Sequence, residues 1–290
     1  MGLLRKTALA ALAVAGCFTA GSCSYQSSAS VLPRADQSPP AYVSGLGSGW
    51  KPTFNGTFGG SRLNRSVWGT CYPWQSQNGC TNYGNANEYE WYTPSQDKVY
   101  GGAVHLIPRR IPTAGKASNG APKQYAYRSG MITSDPGYRY KYGYLQVTAR
   151  IPAGSGLWPA LWLLPASGQW PPEIDMIEHY GNSLMSTQHL HSPDYATQEA
   201  AEPTPALSVG WHTFGLYWSK YQMAWYIDGQ RVFDTTHGIP DQDMYFLADL
   251  AVYQQGRQNW NALTNSMAVR SVRVWQAGSY PRKGHPLLPG

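Results

Sequence analysis

An all-β chain, a sandwich or barrel of short strands, is what this sequence predicts, and three features carry that prediction. Short apolar stretches recur at close intervals between Gly, Pro and Asn turns, in a chain of 290 residues with 31 Gly and 22 Pro. Helical periodicity is nowhere sustained for three turns. Rings suited to pleated surfaces abound, with 12 Trp and 21 Tyr against 6 Phe.

Taken in order, residues 1–23 read as a targeting segment. Arg5 and Lys6 precede an apolar run from Ala8 to Ala15 that is too short to span a membrane. Ala13-Val14-Ala15 offers a small-residue cleavage site, and Val14-Ala15-Gly16-Cys17 resembles a bacterial lipobox, in which Cys17 would be lipidated. Both outcomes export the chain, to the medium or the cell envelope. Residues 24–45 are Ser-, Ala- and Pro-rich and predict a flexible tether. One domain is expected over 46–280, with a tail at 281–290.

Within the domain, strands are expected at Val99 to Pro108, Met131 to Ser134, Tyr142 to Ile151, Leu157 to Leu164, Ile174 to Glu178 and Leu184 to His191. Further strands are expected at Thr213 to Ser219, Met223 to Ile227 with an Asp228-Gly229 hairpin turn, Tyr245 to Tyr253 and Ala268 to Gln276. Ala206 to Trp211 and Asn259 to Asn265 come nearest to helical turns. Cys71 and Cys80 bracket a polar loop, and in an exported protein they are expected to form a disulfide.

Charge excludes some functions. The net charge of +6 falls to +4 without Arg5 and Lys6, and no basic cluster has the density of a nucleic-acid groove. The Trp and Tyr bias suits a surface that stacks sugar rings, although secreted all-β proteins share it. Trp158, Ala160 and Trp162 alternate with Leu161 and Leu163, so the leucines can enter a core while both indoles face outward or pack inside.

The stretch Trp170-Pro-Pro-Glu-Ile-Asp-Met-Ile-Glu-His-Tyr180 carries the chemistry. In a regular strand Glu173 and Asp175 share a face, while Glu178, at an odd offset, points away. One extra residue at Met176 or Ile177, a β-bulge, would bring Glu178 back. Three carboxylates on one face repel, and burial raises the pKa of at least one. A site that pairs an acid with a base or nucleophile needs such an arrangement, whereas a structural strand gains nothing from it. His189 and His191 share a face on the next strand. No third ligand at zinc spacing accompanies them, so they read as hydrogen-bonding groups at the rim of the carboxylates or as surface histidines.

The acidic motif resembles that of glycoside hydrolase family 16 in its bulged, laminarinase-like form. The likeness extends to Asn87-Glu-Tyr-Glu-Trp-Tyr-Thr, Tyr127-Arg-Ser-Gly-Met-Ile-Thr-Ser, Gly156-Leu-Trp-Pro-Ala-Leu-Trp-Leu-Leu, Trp225-Tyr-Ile-Asp-Gly and Phe246-Leu-Ala-Asp-Leu-Ala-Val, and covers about residues 50 to 277. It implies a β-jelly-roll of two curved antiparallel sheets with a glycan cleft on the concave face, and retaining hydrolysis of a β-linked polysaccharide, β-1,3-glucan first. A galactan or other β-glycan, transglycosylation, and a non-catalytic glycan-binding jelly roll are the alternatives.

On this resemblance Glu173 is the nucleophile, Glu178 the general acid/base and Asp175 the residue between them. Asn87, Trp158, Trp162, His189, His191 and Trp260 are the candidate substrate contacts. The reaction is expected to need no cofactor or catalytic metal, with room for a structural calcium, and the protein is expected to be a monomer that touches a membrane only through a lipid at Cys17. Met131 and Asp249 depart from the family pattern, where Arg and Asn are frequent.

Overall fold

The computed structural model describes residues 38–83, 87–181, 185–203, 207–253 and 265–281. Its strands, in chain order, begin with β1 Lys51–Thr57, β2 Glu90–Tyr92, β3 Asp97–Tyr100, β4 Ala103–Leu106, β5 Thr113–Lys116 and β6 Pro122–Tyr125. Then come β7 Tyr127–Ser129, β8 Met131–Thr133, β9 Gly143–Arg150, β10 Leu157–Pro165, β11 Glu173–Glu178 and β12 Met185–His191. The last are β13 Gln198–Pro203, β14 His212–Trp218, β15 Met223–Ile227, β16 Gln230–Thr235, β17 Met244–Val252 and β18 Met267–Gln276.

Two antiparallel sheets stack as a β-jelly-roll. One runs β16-β15-β14-β9-β18-β4-β3, with β1 on the same edge of β18 that β4 occupies further toward its start. The other, six-stranded, runs β13-β12-β11-β10-β17-β8. The pleat explains why these sequences belong there. On β10, Leu157, Leu161 and Leu163 enter the core between the sheets, and on β17 Phe246, Ala248 and Leu250 do the same. Alternate residues, Ala160, Trp162, Leu164, Tyr245 and Leu247, form a second cluster on the opposite face of the six-stranded sheet. The facing sheet supplies Leu145 and Val147 from β9 and Phe214 and Leu216 from β14.

Two expectations change, and a third is only partly described. The stretch Val99 to Pro108 is a hairpin, β3 and β4, because Gly101 and Gly102 turn the chain with φ of 59° and 73°. The expected tether also ends before residue 45. Residues Ala41–Ser44 form a helical turn, and Val43 and Leu46 are fully buried on the outer face of the larger sheet among Tyr144, Tyr217 and Tyr226. Burying each of those two side chains is worth on the order of 1.5–3 kcal/mol. Finally, 207–210 form only a turn, while 259–264 of the second expected helical stretch lie outside the described residues, as do Cys17 and Trp260. No helix among the described residues is long and apolar enough to cross a membrane. The Asp228-Gly229 turn is as expected, with positive φ at both residues.

Candidate active site

The bulge on β11 is present and decides the site. Against β10, Asp175 pairs with Trp162 and Ile177 with Leu161, so Met176 has no partner. Met176 and Ile177 are consecutive, yet both side chains enter the core with Ile174. An unbroken strand would send one of them outward. The extra residue therefore returns Glu178 to the face of Glu173 and Asp175, and all three line a cleft of about 620 Å³ on the six-stranded sheet.

Each carboxylate has its own donors. Trp170 Nε1 donates to Glu173 at 2.7 Å, and Trp158 Nε1 donates to Glu178 at 2.8 Å. His189 Nδ1 lies 2.6 Å from the other oxygen of Glu178, and His191 Nε2 lies 3.5 Å from Asp175 and 3.9 Å from Glu173. Asp175, buried between the two glutamates, shares a hydrogen bond with Glu173. Register places the histidines: Glu173 pairs with His191 and Asp175 with His189 on β12. Behind the strand, Trp225 of β15 donates its Nε1 to the Asp175 carbonyl at 2.8 Å, tying the acidic strand to the opposite sheet.

Burial and mutual repulsion set the charges. Burial, then the neighbouring Asp175 charge, raises Glu173 to about 8 against the pull of His191 and Trp170. Asp175 is pushed well above the usual carboxylate range, first by burial and then by Glu178. Burial alone would lower His189, but its contact with Glu178 outweighs that and leaves it raised. The substrate-free cluster thus retains protons at pH values where isolated carboxyls have lost theirs.

A second acidic layer lies beside the first. Asp249 of β17 accepts from Trp162 Nε1 at 2.6 Å and from the Tyr92 hydroxyl at 2.9 Å, and burial raises it to about 7. Glu88 is buried and raised, first by burial and then by Glu90. Glu90 accepts the Val252 amide at 2.6 Å.

The structure brings Glu173, Asp175, Glu178, Trp158, Trp162, His189 and His191 to one cleft. Trp158 touches an acid directly, whereas Trp162 is 8% exposed and serves to hold Asp249. Asn87 is exposed and is not among the residues lining this cleft, whereas its buried neighbour Glu88 is. Cys71 and Cys80 are bonded, with Cα atoms 5.9 Å apart. Met131 is fully buried beside Cys80, in the cluster beneath the cleft, where an Arg would be an uncompensated charge. Sequence reasoning missed Tyr72, Trp74, Trp170, Tyr180 and Glu88 as lining residues. Trp170 was legible as the residue opening the acidic stretch, and Glu88 from its place beside Asn87.

Among the described residues, two groups of three His, Asp or Glu side chains converge closely enough to hold a metal ion. They are Glu173, Asp175 and His191, and Asp175, Glu178 and His189. Both share Asp175 and lie in the cleft. Their close approach also places Asp175 within 4.8 Å of both glutamates.

Residues 85–267 match the sequence profile of glycosyl hydrolases family 16. The endo-1,3-1,4-beta-glycanase EglC of Rhizobium meliloti (strain 1021) is 31% identical over 214 residues, covering 69% of this chain and 46% of that protein. The glucan endo-1,3-beta-glucosidase A1 of Niallia circulans is 28% identical over 269 residues, 81% of this chain and 38% of that protein. The chain therefore spans less than half the length of these curated relatives. The catalytic domain of an endo-1,3-beta-glucanase (laminarinase) from Thermotoga petrophila RKU-1 shares the fold, with a TM-score of 0.68 at 23% identity, covering 80% of this chain and 100% of that one.

Proposed function

Because the chain belongs to glycosyl hydrolases family 16, we propose that it is an endo-acting β-glucanase that cuts β-1,3-linked glucan with retention of configuration. The observation that carries this reading is the bulged strand, which aims Glu173, Asp175 and Glu178 into an open, indole-lined cleft. Glu173 attacks the anomeric carbon to form a glycosyl-enzyme. Glu178 protonates the departing oxygen, then takes a proton from the water that releases the product. Asp175 holds the hydrogen bond to Glu173 and, as the deepest of the three, is the natural store for a proton while Glu173 is ionised. The two carboxyls supply nucleophile and acid, so no step is assigned to a cofactor.

Linkage preference rests on the relatives, whose names cite 1,3- and 1,3-1,4-β-linked glycans. The leader-like N-terminus supports action outside the cell. The test is release of reducing sugar from laminarin, mixed-linkage glucan and a galactan, with products sized. Short oligosaccharides from the first two are expected. Glu173→Gln and Glu178→Gln should each lose on the order of 10³-fold or more in kcat. Binding without hydrolysis would favour a non-catalytic lectin, and lengthened products a transglycosylase.

A further inference from the structure

We infer that Trp74, on the loop closed by Cys71 and Cys80, is a sugar-stacking platform at one end of the cleft, built for an uncharged pyranose ring of the glucan some distance from the bond that is cut. The inference rests on the β-glucanase reading above. Trp74 is 58% exposed, although burial of an indole is worth several kcal/mol in an ordinary interior. Its exposure is held in place by the surrounding chain. The disulfide closes the loop at its base. Gln77 braces the inside, accepting the Thr70 amide at 2.9 Å and donating to the carbonyls of Cys71 and Tyr72 at 3.2 Å each. Gln75 ties the tip back, donating its side-chain amide to the Thr81 carbonyl at 2.8 Å. Cys80 exchanges both backbone hydrogen bonds with Tyr92, whose hydroxyl donates to Asp249.

The indole also lies on a path into the site. Trp74 stacks on Tyr72 at 5.1 Å and 20°, and Tyr72 meets Trp162 edge-on at 6.2 Å. All three line the same cleft as Glu173 and Glu178. One face of Trp74 is covered by Tyr72, and its exposure leaves the other open to a ring whose axial C–H groups would seek it. The occupant is neutral by electrostatics. Among the described residues the ionisable groups lining the cleft are Glu88, Glu173, Asp175, Glu178 and Asp249 with His189 and His191, and no Lys or Arg joins them. A sulfated or uronate chain would find no cation there to pair with. A rigid, preformed platform loses little freedom on binding, which is the use of the brace.

The experiment follows laminari-oligosaccharides of increasing length on the full chain carrying Trp74→Ala or Trp74→Phe. Stacking predicts that KM for laminarin and the longest oligosaccharides rises about three- to tenfold in Trp74→Ala at unchanged kcat. The shortest oligosaccharide still cut should be turned over as in the wild type, and Trp74→Phe should fall between. In a Glu178→Gln background, retardation of the protein in a laminarin-containing gel should weaken when Trp74→Ala is added. Equal kinetics at every length would overturn the platform, as would a loss that is the same at every length. A wild-type chain that cuts none of these glucans refutes the functional reading itself, so the two failures are told apart.

Discussion

At Glu173 the environment and the chemistry oppose each other. A nucleophile must be ionised, but burial and Asp175 hold this carboxyl at about 8, well above its ordinary value of 4.5. The acidic limb of kcat/KM should therefore lie above the ordinary carboxylate range, since that profile reports the free enzyme. Asp175→Asn removes one of the three causes, burial, Asp175 and Glu178, and should move that limb to lower pH while lowering kcat, as a pH–rate series would record. The same shift has a stability sign. The folded-state value exceeds the unfolded one, so the stabilising contribution is complete below about 4.5 and is lost as pH rises through about 8. Glu173→Gln cannot titrate, so its melting temperature should depend less on pH across that window and should exceed that of the wild type at about pH 9. The residue types and their spacing were legible in the sequence. Which indole reaches which acid was not, because Trp158 and Trp170 come from separate points along the chain and their targets follow from register and loop path.

The element that matters most is β11, which absorbs one surplus residue in a bulge and so keeps its three acids on one face. Deleting Met176 would leave Glu-Ile-Asp-Ile-Glu, a regular alternation that keeps all three carboxylates on the cleft face and removes one core side chain. The deletion should therefore keep measurable hydrolysis while lowering the melting temperature through the lost core side chain, readable by activity and circular dichroism on one preparation. The bulge could be deduced from the chain because only a bulge reconciles the odd spacing with one face. The hairpin of β3 and β4 shows the reverse case. Its apolar residues run on through Gly101-Gly102, and periodicity alone reads them as one strand although paired glycines supply the turn. The short strands β2, β5, β6 and β7 carry too few residues to display a period, and their pairing with one another is what makes them strands.

Across the whole molecule, the larger sheet does more than cover a core. Trp225 reaches from it to the Asp175 carbonyl, so the backbone at the centre of the acidic strand is fixed by the opposite layer. Trp225→Phe keeps most of the packing and leaves that carbonyl without this donor, which should cost about 1–3 kcal/mol. If the bond positions the site, kcat should fall with KM little changed, and steady-state kinetics beside a urea melt separates the two effects. Residues Ala41–Ser44 likewise belong to the domain because the outer face of that sheet carries Tyr144, Tyr217 and Tyr226, which this early segment covers. Composition alone reads that segment as tether, since only two of its apolar residues, Val43 and Leu46, are fully buried and both are far in sequence from the surface they meet.

Alternation, turn chemistry and the odd-spaced acids by themselves determined an all-β sandwich, the strands that carry the site and the three carboxylates at its centre. These are local properties, written in residues that neighbour one another along the chain. Only the tertiary structure decided that Asp249 and Glu88 crowd the same cleft, that Asn87 stands outside it, that Trp225 holds the catalytic strand from behind and that Trp74 stands open at its end. Those relations join segments up to 162 residues apart, as between Glu90 and Val252. They are set by sheet order and register, which arise when the two layers pack.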